Sequence, residues 1–300
     1  MDNLRGAMLM VLSMLFFALE DMFIKLMAET LPVGEILIVT GLAGAAAFSL
    51  FGLARGQCPL RRAMFWGPSG LRVLFEGIAG LFFVTALAVA PISIVTTIIQ
   101  ATPLIVTLGA ALILREPVGP RRWTAIVIGL LGVLIVLRPF GGGFEATALF
   151  AVAGVLAMSA RDLVTRRLPA HFTTLQMSTV GFLAVIPGGV LLLVVTGDGM
   201  VWPTPQVWVW LAAGILSGLP AIYTLIAAMR IGEISFVAPY RYSRIIFGLT
   251  VGALVFNETL DAYTLIGAAI IVASGIYTVW RERKLRIVAP VGLPKGGPTG

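Results

Sequence analysis

The segment Ala238-Pro-Tyr-Arg-Tyr-Ser-Arg244 sets two arginines, two tyrosines and a serine in about a turn and a half of an otherwise apolar run. Arg241 and Arg244 are three apart and share a helix face, and Tyr240 and Arg244 are four apart. Two neighbouring guanidiniums can hold a carboxylate or phosphate bidentately, or stack on a planar ring. Pro239 has no N–H, so it frees the carbonyl of Ser235 and breaks the helix beside them. Broken helix at membrane depth is tolerated where it lines a cavity. The competing use of these arginines is structural, as anchors for Glu20, Asp21 or Glu76.

Glu20, Asp21, Lys25, Glu76, Arg161 and Asp162 also interrupt apolar runs. A charge at the centre of a membrane helix costs about 2.5–3.5 kcal/mol, so each needs a partner or a water-filled cavity. Asp21 and Lys25 are four apart, as are Asp162 and Arg166, and local pairing is expected for both. Glu20 points about 100° away from Asp21 and needs a different partner. Arg161 holds the matching place in the second half of the chain. Glu76 is expected either to bridge to Arg241 or Arg244, or to take part in proton or substrate binding.

A polar counterpart of the arginine segment precedes Pro103: Thr96-Thr-Ile-Ile-Gln-Ala-Thr-Pro103. Gln100 aligns with Tyr242 and Thr102 with Arg244. Thr96 and Gln100 are candidate cavity residues, while hydroxyls beside a proline also serve to satisfy freed backbone groups. Phe17 and Tyr223 are candidate ring-stacking residues, against the simpler alternative of packing.

Catalytic chemistry finds little to work with. The single Cys58 excludes an intrachain disulfide and a cysteine metal cluster, and the single His171 excludes a multi-histidine site. No HExxH pair and no phosphate-binding GxxxxGK[ST] loop occurs. No cofactor or metal is expected. An intramembrane enzyme remains the rival class, and a channel a further one.

The elements that must carry these residues are membrane helices. Of 300 residues, 59% are apolar and 12% charged, and mean hydropathy is +1.01. Soluble domains carry about 25% charge. Continuous apolar runs, not alternating ones, argue for helices over a barrel. Ten spans are expected: 4–27, 33–53, 71–90, 92–114, 123–137, 146–164, 172–196, 207–229, 234–256 and 262–280. The net charge of +7 does not point to nucleic acid, because the basic residues sit in connections and the tail. Arg5, Arg55, Arg61, Arg62, Arg72, Arg115, Arg121, Arg122, Arg166, Arg167, Arg230 and the tail cations fall on one side, and Arg138 on the other. The positive-inside rule then puts both termini in the cytoplasm.

The chain also repeats itself. Residues 91–116 and 233–258 align without a gap and share Ile92/Ile234, Ser93/Ser235, Val95/Val237, Ala111/Ala253, Leu112/Leu254 and Glu116/Glu258. Lys25 and Arg166 echo one another in the same way. Two five-span repeats, 1–138 and 146–280, would lie inverted in the bilayer, followed by a disordered tail over 281–300. Gly214 with Gly218 and Gly248 with Gly252 have the spacing of close helix packing.

The repeated block ending in Glu, followed by Arg121-Arg-Trp-Thr-Ala-Ile-Val-Ile-Gly-Leu-Leu-Gly132 in one half and Tyr263-Thr-Leu-Ile-Gly267 in the other, resembles EamA-type permeases of the drug/metabolite transporter superfamily. Glu20-Asp21-Met-Phe-Ile-Lys25 and Ala238-Pro-Tyr-Arg-Tyr242 look like the branch of bacterial riboflavin and S-adenosylmethionine uptake proteins. The resemblance implies an all-α fold of ten helices in two inverted five-helix repeats, cytoplasmic termini and a central cavity. It implies a multi-pass protein of the bacterial inner membrane, monomeric or homodimeric, that moves a small molecule by alternating access. Riboflavin suits the Tyr, Phe and Arg set best. S-adenosylmethionine is the alternative, with its cation on Glu20, Asp21 or Glu76 and its carboxylate on Arg241 or Arg244. Export of amino acids or other metabolites is a further alternative.

Overall fold

The computed structural model describes residues 2–116, 118–139, 146–165, 168 and 172–288, and these form helices, turns and connections. The helices are α1 (Asp2–Met27), α2 (Val33–Ala54), α3 (Gly67–Val89), α4 (Ile92–Ile99), α5 (Thr102–Leu112) and α6 (Pro120–Leu137). The second half holds α7 (Ala148–Thr165), α8 (Thr174–Thr196), α9 (Pro205–Ile231), α10 (Ile234–Val237), α11 (Ser243–Val255) and α12 (Ala262–Val288). A 3-10 turn, Ala238–Tyr242, joins α10 to α11.

Nine stretches of these residues are long and apolar enough to cross a membrane, with α4 and α5 counted as one. The tenth crossing is α10, the turn and α11 together. Its longest helical piece, α11, has 13 residues and needs the rest to span. The fourth span is broken as well, since α4 ends at Ile99 and α5 starts at Thr102. The last helix continues to Val288, past the Trp280 expected as its end. Arg166, Arg167, His171 and residues 289–300 of the expected tail lie outside the described residues.

The helices pair across the halves in a consistent way. Helix α1 lies on α9 and α3 on α7, α2 lies on α8, α6 on α12, and α4 on α11. Exchanging spans 1–5 with 6–10 turns the α1–α9 contact into α7–α3 and maps the other three onto themselves. Five crossings per repeat is odd, so the second repeat enters the membrane from the opposite side.

Glycines let these pairs approach. A Cβ on Gly41 or Gly44 of α2 would run into Phe182 or Ile186 of α8. One on Gly248 would collide with Thr96 of α4, and one on Gly252 would lie 2.7 Å from the Glu258 carboxylate. Within a bilayer, where apolar surface gains little by meeting apolar surface, such close backbone approach drives helix association.

One end of the bundle is fastened by charges placed at helix termini. Lys25 donates from Nζ to the carbonyls of Leu87 (3.1 Å) and Ala90 (2.6 Å), at the C-terminus of α3. Three residues on, the Glu258 carboxylate accepts from the amides of Ile92 (2.6 Å) and Ser93 (3.0 Å), the first residues of α4. A cation thus sits on the negative end of one helix dipole and an anion on the positive end of the next. The Lys25 ammonium also lies 5.3 Å from the centre of the Phe256 ring. The local Asp21–Lys25 pair expected from spacing is not formed, because two orphan carbonyls at a helix end hold the ammonium better than a carboxylate already taken by Arg244.

Replacing Glu258 by Gln removes a charged cap and is expected to cost about 1–2 kcal/mol, with Lys25→Met costing a similar amount. Gly248→Leu should do more harm, by forcing α11 off α4. Thermal unfolding of the detergent-solubilised protein measures all three, and unaltered melting in Glu258→Gln and Lys25→Met would contradict the fastening role.

Candidate functional site

The two broken spans meet face to face. In α4 the run Ile92–Ile99 is rich in β-branched residues, which are poor helix formers in isolation. Pro103 then removes the N–H that would have closed on Ile99. The Thr102 hydroxyl donates to that carbonyl instead, at 2.5 Å. In the ninth span Pro239 has the same effect, and the chain tightens into the 3-10 turn. Ser243 closes it by donating from Oγ to the Tyr240 carbonyl at 2.7 Å. The Gln100 side chain joins the two breaks, donating from Nε2 to the carbonyl of Arg241 at 2.9 Å.

The arginines that share a face by spacing have separate fates. Arg244 donates from Nη2 to the buried Asp21 carboxylate at 2.6 Å and from Nε at 3.2 Å. Its guanidinium is sandwiched near the rings of Phe17 (5.1 Å) and Phe83 (5.9 Å). Such a pair with cation–π support is a finished interaction. Arg241 is different. The residue is exposed, and its guanidinium makes no hydrogen bond or ion pair with any described residue. Asp162 and Arg161 of α7, together with Tyr242 and Arg244 of its own span, act on it electrostatically without a direct bond. A guanidinium on the lipid side would be costly, which favours an interior placement.

A second cluster joins α3 to α7. Arg161 donates from Nη1 to Glu76 at 2.8 Å and from Nε to Asp162 at 2.9 Å. Arg72 binds the other Glu76 oxygen at 3.0 Å and donates to Thr165 Oγ1 at 3.1 Å. The expected bridge from Glu76 to Arg241 or Arg244 is therefore not made, and Arg161, the counterpart of Glu20 in the second half, is taken by Glu76 and Asp162. Glu76 is already held by one arginine a turn away on its own helix and one from α7. The expected Asp162–Arg166 pair involves a residue outside the described set.

Glu20 is the second unpaired charge. It is half-buried, with no hydrogen bond or ion pair among the described residues. Its carboxylate lies against Gly218 of α9, where a Cβ would come within 2.9 Å of Oε1. The glycine makes room for it.

Several candidates fall away from the interior. Thr96 is fully buried, bonds the Ile92 carbonyl at 2.7 Å and packs on Gly248. Tyr242 is 6% exposed, with its ring filling the notch left by Gly275 of α12. Tyr223 is 62% exposed and lies opposite the face of α9 that buries Gly214, Ser217, Ala221 and Thr224. Tyr240 leans on Phe236 (5.8 Å between ring centres). With Leu4, Met8, Val11 and Phe247 it borders an apolar groove of about 320 Å³ between α1 and the turn. Among the charges placed within the spans, Arg241 and Glu20 are left without a direct partner among the described residues.

The sequence places Arg72 among the basic residues on one side of the bilayer, and its i,i+4 spacing to Glu76 is the signal for the pair that forms. The sequence gives Glu258 no role. The echo of Glu116 in Glu258 marked the position, but nothing local shows that this carboxylate caps a helix in the other repeat. The aromatic neighbour Phe83 carried no signal, because phenylalanines are common along the spans.

Comparison with known proteins agrees with this architecture. The profile described as the EamA-like transporter family matches residues 4–138 and again residues 146–280. A riboflavin transporter of Vibrio cholerae is 30% identical over 222 residues, covering 72% of each chain. An S-adenosylmethionine uptake transporter of Rickettsia prowazekii is 26% identical over 214 residues, covering 71% of this chain and 70% of the other. A pseudopaline exporter of Pseudomonas aeruginosa is 25% identical over 279 residues, covering 90% and 94%. One solved crystal structure aligns with a TM-score of 0.58 at 22% identity, over 93% of this chain and 97% of that one, which speaks to the fold. The duplicated profile and the paired, broken fourth and ninth spans lead to one conclusion: the chain belongs to the EamA-like transporter family, a multi-pass membrane transporter of small metabolites and not an enzyme.

Proposed function

We infer that the protein imports riboflavin across the bacterial inner membrane by alternating access, with both termini in the cytoplasm. The observation that carries this reading is the unpaired Arg241, held at a break in the ninth span and facing the interior. An uncompensated guanidinium there is ready for a planar, acceptor-rich edge such as that of a flavin ring. The Phe17–Arg244–Phe83 stack supplies a flat neighbour, and the 30% identical Vibrio cholerae riboflavin transporter supports the choice. The charge asymmetry of the connections supports the orientation.

One observation favours a second reading, S-adenosylmethionine uptake. Glu20 and Arg241 are an acid and a base, neither with a direct partner among the described residues. Together they complement a metabolite carrying a sulfonium and a carboxylate. The Rickettsia relative is named for this substrate.

Uptake of labelled riboflavin and S-adenosylmethionine by cells lacking other routes separates the readings. Riboflavin accumulation that depends on the protein is expected. Uptake of S-adenosylmethionine alone would replace the first reading with the second, and movement of neither would reject both. Arg241→Ala should raise the apparent KM about ten-fold, the equivalent of about 1.4 kcal/mol, while thermal stability stays at the wild-type value. Arg244→Ala should behave oppositely in stability, because stranding buried Asp21 costs about 3–5 kcal/mol. Equal melting temperatures for the two variants would contradict this division of roles.

A further inference from the structure

Gln100 and Tyr242 hold equivalent places in the two repeats, one at each helix break. Neither side chain faces the interior. Each reaches to a different element and fixes the turn that carries Arg241. Gln100 comes from the first repeat and donates to the carbonyl of Arg241 itself, at 2.9 Å. Tyr242 comes from the turn and seats its ring in the Gly275 notch of α12. The backbone around Arg241 is thus pinned to α4 and to α12.

We propose that Gln100 is a positioning residue for substrate recognition, holding the Arg241 guanidinium in the open interior through its backbone carbonyl. This rests on the reading of Arg241 as a substrate-binding group.

The packing of α4 on α11 does not require the amide. Thr96, one turn earlier on the same face, makes the close contact with Gly248. An apolar side chain of equal length at position 100 would keep that contact and lose only the bond to Arg241. Gln100 is 9% exposed, so water does not readily replace the missing donor. The turn would then relax, because 3-10 geometry is weakly self-supporting. Arg241 would be free to fall back toward Asp162, the acid that acts on it. A guanidinium paired in that way must break the pair before it can take substrate, which weakens binding without altering the transport step.

The single native cysteine makes a substrate-independent test available. In a Cys58→Ser background, Arg241→Cys is expected to react readily with a water-soluble maleimide. Adding Gln100→Met should slow that reaction about five-fold or more, and adding Gly275→Ala, which displaces Tyr242, should slow it likewise. With Arg241 intact, Gln100→Met should raise the KM of uptake about ten-fold, with the maximal rate within about two-fold of wild type. An unchanged labelling rate in Gln100→Met overturns the proposal. So does an unchanged KM accompanied by lower thermal stability, which is the mark of a purely structural residue. If the wild-type protein moves neither riboflavin nor S-adenosylmethionine, the substrate reading falls, and the labelling rates still decide the role of Gln100.

Discussion

A charge inside a membrane bundle must meet a counter-charge, a helix end or water, and the architecture of this protein follows from how each charge does so. Asp21 meets Arg244, Glu76 meets Arg72 and Arg161, and Asp162 meets Arg161. Lys25 meets the open carbonyls of α3 and Glu258 the open amides of α4. Each of these ties joins different elements, apart from the Arg72–Glu76 and Arg161–Asp162 links, and so acts as a fastening of the bundle. Arg241 and Glu20 remain without such a tie among the described residues, and both stand where the spans are broken or thinned by glycine. The distinction between paired and unpaired charge is what separates scaffold from site.

The broken spans serve both purposes at once. Proline and β-branched residues weaken the fourth and ninth crossings, and the freed backbone groups are recovered by short side chains and by Gln100. This keeps the cost of the break low, while allowing a turn to present a side chain that an unbroken helix would direct elsewhere. Equivalent positions of the two repeats then diverge in use. Gln100 spans the gap to the other repeat, and Tyr242 packs against its own. A duplicated frame with different residues at the breaks suits a substrate whose ends differ.

Much of the frame was legible in the sequence, because membrane spans are long, apolar and bounded by turn formers. The fourth span read as one run and is broken before Pro103, while the ten crossings, the duplication and the break at Pro239 could be read directly. The pairing of charges could not. Helical spacing favours neighbours four residues apart, which correctly fits Arg72 with Glu76 but wrongly suggests Asp21 with Lys25. Both Asp21 and Lys25 are taken by elements far away in sequence, and one chain alone gives no sign of which helices touch. The same ignorance of facing explains Tyr223 and Tyr242, whose residue type suits stacking on a ligand while the surrounding helices turn one outward and bury the other. Glu20 and Arg241 are recognisable as charges out of place, but only the lack of a direct partner among the described residues sets them apart.

A structure of the protein bound to its transported metabolite would test this account most directly. The account predicts a polar group of the ligand within hydrogen-bonding distance of the Arg241 guanidinium, with Arg244 still on Asp21 and Glu76 still between Arg72 and Arg161. A ligand bound elsewhere, with Arg241 paired to a protein carboxylate, would contradict it.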